Sequence, residues 1–521
     1  MKAIPRTLFA SLFAILLFTL AWAQEAPLAK TEFGPVKGKL SADGKVKVFL
    51  GIPFAAPPVG PLRWKPPQPP APWTAARDAT NYGSRCMQAG LFKVAYLDPG
   101  ESEDCLTINV WAPKGATKLP VLVWIYGGGF IDGGSSEPRT NGENLAHRGV
   151  VLVSMNYRLN IFGFFATHEL EAESPQHAAG NYGFLDQSAA IHWVQKNIGE
   201  FGGDPAKITI FGESAGSFAV SAQMASPLTR DLLAGAIGES GGGLARSSVP
   251  FPDLATKEKE DEKFAKSALH AEKLADLRAM SAADLSAKAA PKLIGGGKFT
   301  PNIDGYFLTE TLAATFSAGK QAHVPLLVGW NADEAFVSAA KIPNFGPQNL
   351  NGMLMQKFGL RSFEATKYFP ATSTEQAIRS ADDLSAAEFL VYGTWAWLEA
   401  QVKTGGSPVY RFYFDLGVPI APGQEGPSRA FHSDEVDYVF GTLDTRKDTK
   451  WRPEDYALSE KMQTYWTNFA KTGDPNSPGL PKWPKYGAAD NWQVMFLDAT
   501  PTAQPDEHRE RFLFLQKVWN K

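Results

Sequence analysis

The chain contains 521 residues, of which 51 are Lys or Arg and 54 are Asp or Glu, so its formal net charge is −3 at pH 7. This balance leaves no basic surface of the kind that nucleic-acid-binding proteins or proteins held on anionic membranes present. The length allows a large core, and no linker rich in Gly, Ser or Pro divides the chain. Residues 24–521 are therefore expected to form a single domain.

The first residues, 1–23, are typical of a cleaved secretory signal peptide. Lys2 and Arg6 precede an apolar run over residues 8–22, and the sequence Ala-Trp-Ala at 21–23 matches a small-x-small cleavage site. A membrane anchor is the alternative, but the run is shorter than the ~20 residues that span a bilayer as a helix. We therefore expect a secreted or periplasmic protein without stable membrane insertion.

Two regions precede the main repeating pattern of the chain. Residues 31–40 and 45–50 are predicted to form short antiparallel strands. Cys86 and Cys105 follow, and they are the only cysteines in the chain. In an exported protein such a pair predicts one disulfide, although two buried free thiols would fit the same count.

Apolar runs rich in β-branched residues then recur and alternate with helical segments. Near-continuous apolar strands of this kind indicate a parallel sheet that is covered by helices on both faces. Residues 255–290 are charged, rich in alanine and helical, and we expect them to lie outside the sheet as a cap or a solvated face. The predicted strands of the sheet are 121–126, 150–157, 208–211, 234–238, 325–330 and 409–414.

A run of three glycines follows the first of these strands, in the sequence Tyr-Gly-Gly-Gly-Phe at 126–130. Consecutive glycines allow backbone N–H groups to point into one cavity, where they stabilise negative charge that develops on a substrate oxygen. A phosphate-binding loop is excluded, because Asp132 breaks Gly-x-Gly-x-x-Gly and no Gly-Lys-Ser/Thr follows. We expect the amides of Gly128, Gly129 and Ala215 to form an oxyanion hole.

Ser214 lies in a strand–turn–helix pattern. A β-branched run ends at Gly212, Gly216 follows, and an Ala-rich segment suited to a helix comes next. Strand, Gly-x-Ser-x-Gly and helix together are typical of the nucleophile elbow of α/β-hydrolases. A second Gly-x-Ser-x-Gly surrounds Ser240, but it continues into further glycines, which do not start a helix. We therefore expect Ser214 to be the nucleophile and Ser240 to lie at a strand end near the site.

A serine nucleophile needs a histidine base and an acid that orients the base, and in this fold their chain order is serine, acid, histidine. Four histidines follow the serine. His270 lies in the charged helical segment, and His508 lies in a charged run near the end of the chain. His323 precedes a strand, whereas ligands meet parallel strands at their carboxyl ends. Elimination leaves His432, in a polar loop after the last predicted strand.

Two adjacent carboxylates, Asp333 and Glu334, follow the strand 325–330 at its carboxyl end, and position alone does not choose between them. Asp304 and Asp434 are weaker candidates for the acid. The chain contains no His-Glu-x-x-His and no Cys/His cluster, so we expect neither a metal nor a cofactor.

Several longer motifs resemble those of a known family. They are Glu-Asp-Cys-Leu-Thr-Ile-Asn-Val-Trp at 103–111, Tyr-Gly-Gly-Gly-Phe at 126–130, Asn-Tyr-Gly-Phe-Leu-Asp-Gln at 181–187, Phe-Gly-Gly-Asp-Pro at 201–205 and Phe-Gly-Glu-Ser-Ala-Gly at 211–216. With these motifs the chain resembles the type-B carboxylesterases, the family that includes cholinesterases and para-nitrobenzyl esterases, over most of its length after residue 23. The resemblance implies an α/β-hydrolase fold, with a large, mostly parallel sheet, helices on both faces and a helical cap or excursion.

The same resemblance implies a Ser-Glu-His triad of Ser214, Glu334 and His432, and it pairs the two cysteines in the family's first disulfide. The family's acid is the Glu of an Asp-Glu-Gly motif, whereas Ala335 stands here in place of the Gly. Asp333 therefore remains a candidate for the acid.

The expected function is that of an exported serine carboxylesterase, which hydrolyses small-molecule carboxylic esters through an acyl-enzyme intermediate. A non-catalytic binding or adhesion protein on the same fold is one alternative, although such relatives typically lose the serine or the histidine. An amide- or carbamate-directed hydrolase is another. Cholinesterases carry a tryptophan in the first disulfide loop that binds a quaternary ammonium group, but residues 87–104 contain no Trp, so a choline ester is not an expected substrate.

Overall fold

The computed structural model describes residues 26–519, except residues 89, 91, 93, 245–249, 292–298, 336 and 421–427. The predicted signal peptide, residues 1–23, lies outside the described residues. Within the described part of the chain, no helix is both long enough and apolar enough to cross a membrane.

The described residues form 16 strands and 16 α-helices. The strands are β1 (Leu28–Thr31), β2 (Gly34–Lys37), β3 (Lys39–Leu40), β4 (Val46–Pro53), β5 (Arg77–Asp78), β6 (Arg85–Cys86), β7 (Glu101–Ser102), β8 (Thr107–Pro113), β9 (Leu119–Ile125), β10 (Val151–Met155), β11 (Gly203–Glu213), β12 (Gly235–Glu239), β13 (Leu326–Asn331), β14 (Val409–Phe414), β15 (Gln493–Leu497) and β16 (Thr502–Pro505). The helices are α1 (Glu143–His147), α2 (Asn160–Phe164), α3 (His168–Glu173), α4 (Tyr182–Asn197), α5 (Ala215–Ala225), α6 (Leu254–Phe264), α7 (Leu274–Ala279), α8 (Ala282–Ala289), α9 (Leu312–Ser317), α10 (Pro347–Phe358), α11 (Ser362–Ala365), α12 (Thr374–Ala386), α13 (Tyr392–Thr404), α14 (Glu435–Phe440), α15 (Pro453–Thr472) and α16 (Arg509–Trp519).

One large sheet organises the molecule, with its strands in the order β16-β15-β14-β13-β12-β11-β9-β10-β8-β4-β3. The strands from β15 across to β10 pair in parallel. Antiparallel strands extend the sheet at both sides, with β16 at one end and β8, β4 and β3 at the other. Every residue of β10, β12, β13 and β14 is buried. Because successive side chains of a strand point to opposite faces, both faces of this sheet are covered.

The six predicted strands of the parallel sheet correspond in order to β9 through β14, and their boundaries agree within a few residues except at the start of β11. That strand begins at Gly203, because a register shift between Gly203 and Ile208 extends its pairing with β9. The predicted N-terminal strands correspond to β1–β4, which form two antiparallel pairs. Residues 255–290 contain α6, α7 and α8 and contribute no strand to the sheet.

The parallel order of β11, β12, β13 and β14 brings their carboxyl ends to the same edge of the sheet. Ser214 follows β11 directly, Ser240 follows β12, and Glu334 comes three residues after β13. The loop that contains His432 lies between β14 and α14. Residues far apart in the chain therefore meet at one edge, which is where ligands bind in sheets of this type.

Candidate active site

Ser214 occupies a strained turn between β11 and α5. Its backbone has φ 55° and ψ −124°, a conformation that non-glycine residues rarely adopt. A Cβ atom on Gly216 would lie 2.0 Å from the carbonyl oxygen of Ile125, and one on Gly212 would lie 2.6 Å from that same oxygen. Both glycines are therefore required for the turn to pack against β9, as the sequence pattern predicted.

The three side chains of the predicted triad lie together. Nε2 of His432 is 2.9 Å from Oγ of Ser214, and Nδ1 of His432 is 2.7 Å from Oε2 of Glu334. A carboxylate only accepts hydrogen bonds, so Nδ1 carries a proton and donates a hydrogen bond to Glu334. In the neutral imidazole, Nε2 is then free to accept the hydroxyl proton of Ser214.

Glu334 is held by further hydrogen bonds. Its Oε1 accepts from Oγ of Ser240 at 2.5 Å and from the backbone amide of Asn331 at 2.8 Å. The side chain is only 2% exposed, so these donors replace the water that a carboxylate would otherwise bind. Ser240 is completely buried, and its hydroxyl donates to Glu334 rather than to Ser214.

The other candidates for the acid are engaged elsewhere. Oδ1 of Asp333 pairs with Arg379 at 2.9 Å and with Arg429 at 3.1 Å. Asp304 accepts hydrogen bonds from the backbone amides two and four residues further along the chain. Asp434 pairs with a surface arginine and accepts from the amide of a residue in its own loop. None of the three carboxylates contacts the imidazole of His432.

The glycine loop lies against the nucleophile. A Cβ atom on Gly127 would lie 3.0 Å from Cβ of Ser214. Gly128, Gly129 and Ala215 all line the cavity that contains Ser214. Within the described residues, the amides of these three residues donate to no other protein group. An amide without a protein acceptor at the cavity wall could donate to a substrate oxygen.

The cavity above Ser214 has a volume of about 260 Å³. Its walls are mostly apolar. Phe92, Val94 and Tyr96 come from the loop between the two cysteines, while Phe389 and Leu390 come from the π-helical turn that joins α12 to α13. No described residue of α6, α7 or α8 lines the cavity.

The disulfide predicted from the two cysteines is present, because Cys86 and Cys105 are bonded to each other. The bond closes the loop that carries the aromatic wall of the cavity. Arg85, beside the first cysteine, pairs with Asp98 at 2.6 Å and lies over the ring of Tyr96. The disulfide thus joins the two ends of the loop, and Arg85 contacts residues within it. Together these contacts hold the Tyr96 ring in the cavity wall.

Buried glutamates surround the histidine. Oε1 of Glu213 lies 3.2 Å from Nε2 of His432 and accepts a hydrogen bond from Oγ of Ser433. Burial raises the pKa of Glu213, raises that of Glu435 well above its ordinary value, and raises that of Glu239 to about 8. Burial also lowers the pKa of His432, but the charges of Glu213 and Glu334 outweigh this effect, and the net direction is upward.

The polar side of the cavity contains two charged residues that sequence analysis did not single out, Glu137 and Arg139. They belong to the segment just before and within the 3-10 turn Pro138–Thr140, which shows no motif of its own. Burial raises the pKa of Glu137 to about 7, although the neighbouring Arg139 opposes this shift. Only the folded arrangement of the chain shows that they line the cavity.

Two groups of side chains could offer several ligands to a metal ion. They are Asp43 with Glu143 and His147, and His168 with Glu171 and Glu258. None of these residues lines the cavity of Ser214. Exposed acidic groups of this kind are common, and neither group is placed to assist a reaction at the serine.

Comparison with known proteins identifies relatives over most of the chain. The carboxylesterase family matches residues 25–514. Fumonisin B1 esterase of Sphingopyxis macrogoltabida is 35% identical over 477 residues, which cover 88% of this chain and 84% of that protein. Para-nitrobenzyl esterase of Bacillus subtilis is 35% identical over 501 residues, with 93% and 97% coverage. A solved structure of PNB esterase superposes with a TM-score of 0.80 at 32% identity, covering 95% of this chain and 99% of that chain.

Proposed function

Because the chain belongs to the carboxylesterase family, has the α/β-hydrolase fold and is a carboxylic ester hydrolase, we propose that Ser214, Glu334 and His432 form its catalytic triad. The observation that carries the proposal is the continuous hydrogen-bonded chain from Oγ of Ser214 through the imidazole to Glu334. Ser214 and His432 line a cavity that is large enough for a small ester.

In the proposed first step, Oγ of Ser214 attacks the carbonyl carbon of the ester while Nε2 of His432 takes the hydroxyl proton. The carbonyl oxygen becomes an oxyanion, which accepts hydrogen bonds from the amides of Gly128, Gly129 and Ala215. The imidazolium then gives its proton to the alcohol oxygen, and the bond between that oxygen and the carbonyl carbon breaks. The acyl group remains on Ser214.

In the second step, a water molecule takes the place of the alcohol. His432 removes one proton from the water, the resulting oxygen attacks the acyl carbon, and the oxyanion forms again in the same position. The proton returns to Oγ of Ser214 as the carboxylic acid leaves. Glu334 accepts a hydrogen bond from Nδ1–H throughout, which fixes the tautomer of His432 and stabilises the imidazolium in both steps.

The exported location is also proposed. It is supported by the signal-like residues 1–23 and by the Cys86–Cys105 disulfide, since disulfides persist mainly in oxidising compartments. We further propose that residues 24–521 form one catalytic domain. One contiguous hydrophobic core, which extends from Ala29 to Leu515, supports this.

A fluorophosphonate probe and a para-nitrophenyl ester test the triad and the acyl-enzyme. We expect the probe to modify Ser214, as identified by peptide mapping, and to leave Ser240 unmodified. Rapid mixing with the ester should release a burst of nitrophenol equal to the active protein, provided that deacylation is the slower step. A label on any residue other than Ser214 would refute the assignment of the nucleophile.

A further inference from the structure

Arg139 is the only Lys or Arg among the described residues that line the cavity of Ser214. Its side chain is 30% exposed. The rest of the lining is mostly apolar, apart from Glu137, Glu213 and the reacting groups themselves. A permanently positive group thus faces the space that a substrate must fill.

The guanidinium of Arg139 has hydrogen-bonding capacity to spare. It offers five N–H donors, and Nη2 donates to the backbone carbonyl of Ser433. Nε is buried and has no hydrogen-bond partner. The nearest carboxylate oxygen, Oδ2 of Asp437, lies 3.8 Å from Nη2, which is too far for a hydrogen bond. Because Nε is buried, a ligand in the cavity cannot reach it, whereas Nη1 is not buried and makes no hydrogen bond to the described residues, so Nη1 and the remaining N–H of Nη2 are the donors open to a further acceptor.

Burial lowers the pKa of Arg139, and the charges of Asp437, Glu137, Glu213 and Glu435 outweigh this effect, but none of these carboxylates accepts a hydrogen bond from its guanidinium. Asp437 also lies 3.6 Å from Arg446, and neither of its oxygens accepts a hydrogen bond. Glu213 is engaged by Ser433 and His432. Glu137 lines the cavity without an ion pair to Arg139, and with its raised pKa it is partly uncharged at neutral pH.

We propose that Arg139 binds a free carboxylate of the substrate, so that the enzyme favours esters that carry a carboxylate besides the ester bond that is cleaved. The inference rests on the proposed function, because the substrate must be held against Ser214. A guanidinium and a carboxylate match through two parallel N–H···O bonds, and a mostly apolar cavity strengthens such a pair. The carboxylate can belong to the acyl part, as in a hemiester of a dicarboxylic acid, or to the alcohol part, as in an ester of a hydroxy acid.

Two matched pairs of substrates distinguish a carboxylate on the acyl part from one on the alcohol part. Monoethyl glutarate is compared with ethyl hexanoate for the acyl side, and the butanoyl ester of gamma-hydroxybutyric acid with pentyl butanoate for the alcohol side. For each pair the measured quantity is the ratio of kcat/KM for the charged ester to that for the neutral ester. We expect Arg139→Gln to lower this ratio about tenfold or more in one pair, mainly through KM, since a charge-assisted hydrogen bond typically contributes this much.

Two further variants serve as matched controls. Arg446→Gln also removes a positive charge beside Asp437, but Arg446 does not line the cavity, so the ratio should change less than about twofold. Glu137→Gln removes a negative charge from the cavity wall and should raise the ratio. An unchanged ratio in Arg139→Gln, for both pairs, would overturn the inference, because Arg139 would then only balance the buried acids. Failure of the proposed function would appear separately, as neutral-ester turnover that survives Ser214→Ala.

Discussion

Ser240 donates a hydrogen bond to Oε1 of Glu334, the carboxylate whose other oxygen lies 2.7 Å from Nδ1 of the histidine. The serine of the second Gly-x-Ser-x-Gly therefore contacts Glu334, whereas Ser214 contacts Nε2 of His432. Ser240 lies at the end of β12, one strand away from Ser214, and helps to fix the acid. In the proposed triad, Ser240 is thus a positioning residue that acts through Glu334.

Replacement of the two serines should separate these roles. Ser214→Ala should lower kcat by about 10³-fold or more, because the attacking atom is removed. Ser240→Ala should lower kcat by only about tenfold, the usual effect of losing one hydrogen bond to a charged group, and should leave KM nearly unchanged. Steady-state kinetics on a para-nitrophenyl ester measure both values, with circular dichroism as the control for folding. A larger loss for Ser240→Ala than for Ser214→Ala would contradict this assignment.

Replacement of the two adjacent carboxylates should have unequal effects. Glu334→Gln removes the acceptor that holds the Nδ1 proton of His432, and kcat should fall by about 10⁴-fold, as for loss of a triad acid elsewhere. Asp333→Asn alters an ion pair with Arg379 and Arg429 on the far side of the loop. It should cost less than about tenfold in kcat, since partly exposed ion pairs contribute little. The reverse order of the two losses would show that the acid is Asp333.

The pH profile of kcat/KM should depend on Glu213, whose carboxylate lies beside the imidazole of His432. Only the neutral imidazole can take the proton of Ser214, so the rate falls as the pH drops through the pKa of His432. Because Glu213 and Glu334 raise that pKa, the acid limb should lie above the ordinary value of ~6.5. Glu213→Gln removes one of these charges and should move the limb to lower pH, by about one unit. Asp333→Asn serves as the control, and a limb that stays in place in Glu213→Gln would contradict the electrostatic account.

Export predicts two properties of the protein isolated from its native host. It should begin near Gln24, and it should react with no thiol reagent until it is both unfolded and reduced, because Cys86 and Cys105 are the only cysteines and are bonded to each other. Protein sequencing and a thiol assay measure these properties. A chain that retains Met1, or two thiols that titrate in the unfolded but unreduced protein, would contradict export.

The central strands and the turn around Ser214 could be predicted because their signals are local. The runs that became β9–β14 are mostly apolar, with exceptions such as Arg411 in β14, since both faces of the sheet are covered, and the glycines around Ser214 belong to one short motif. By contrast, Asp333 and Glu334 are neighbours in the same loop. Only the approach of Arg379 and Arg429 on one side and of His432 on the other assigns them different roles, and no local pattern contains that information.

The flanking strand β8 and the charged wall of the cavity were not predicted, for related reasons. The residues of β8, Thr107–Pro113, belong to a family motif, but their pairing partners β4 and β10 lie at distant points in the sequence. Glu137 and Arg139 stand in a short turn with no periodicity. Their importance depends on the cavity they face, which elements from across the chain create together.

The distance in sequence between the residues of the proposed triad has a consequence for refolding. Ser214 and His432 are 218 positions apart, and Glu334 and His432 are 98 positions apart. No fragment that lacks β13 or β14 can bring these groups together, and such non-local contacts form slowly because long loops must close first. Recovery of esterase activity after denaturation should therefore lag behind the return of helical circular dichroism. Enzyme activity is in this respect a stricter measure of complete folding than any signal from secondary structure.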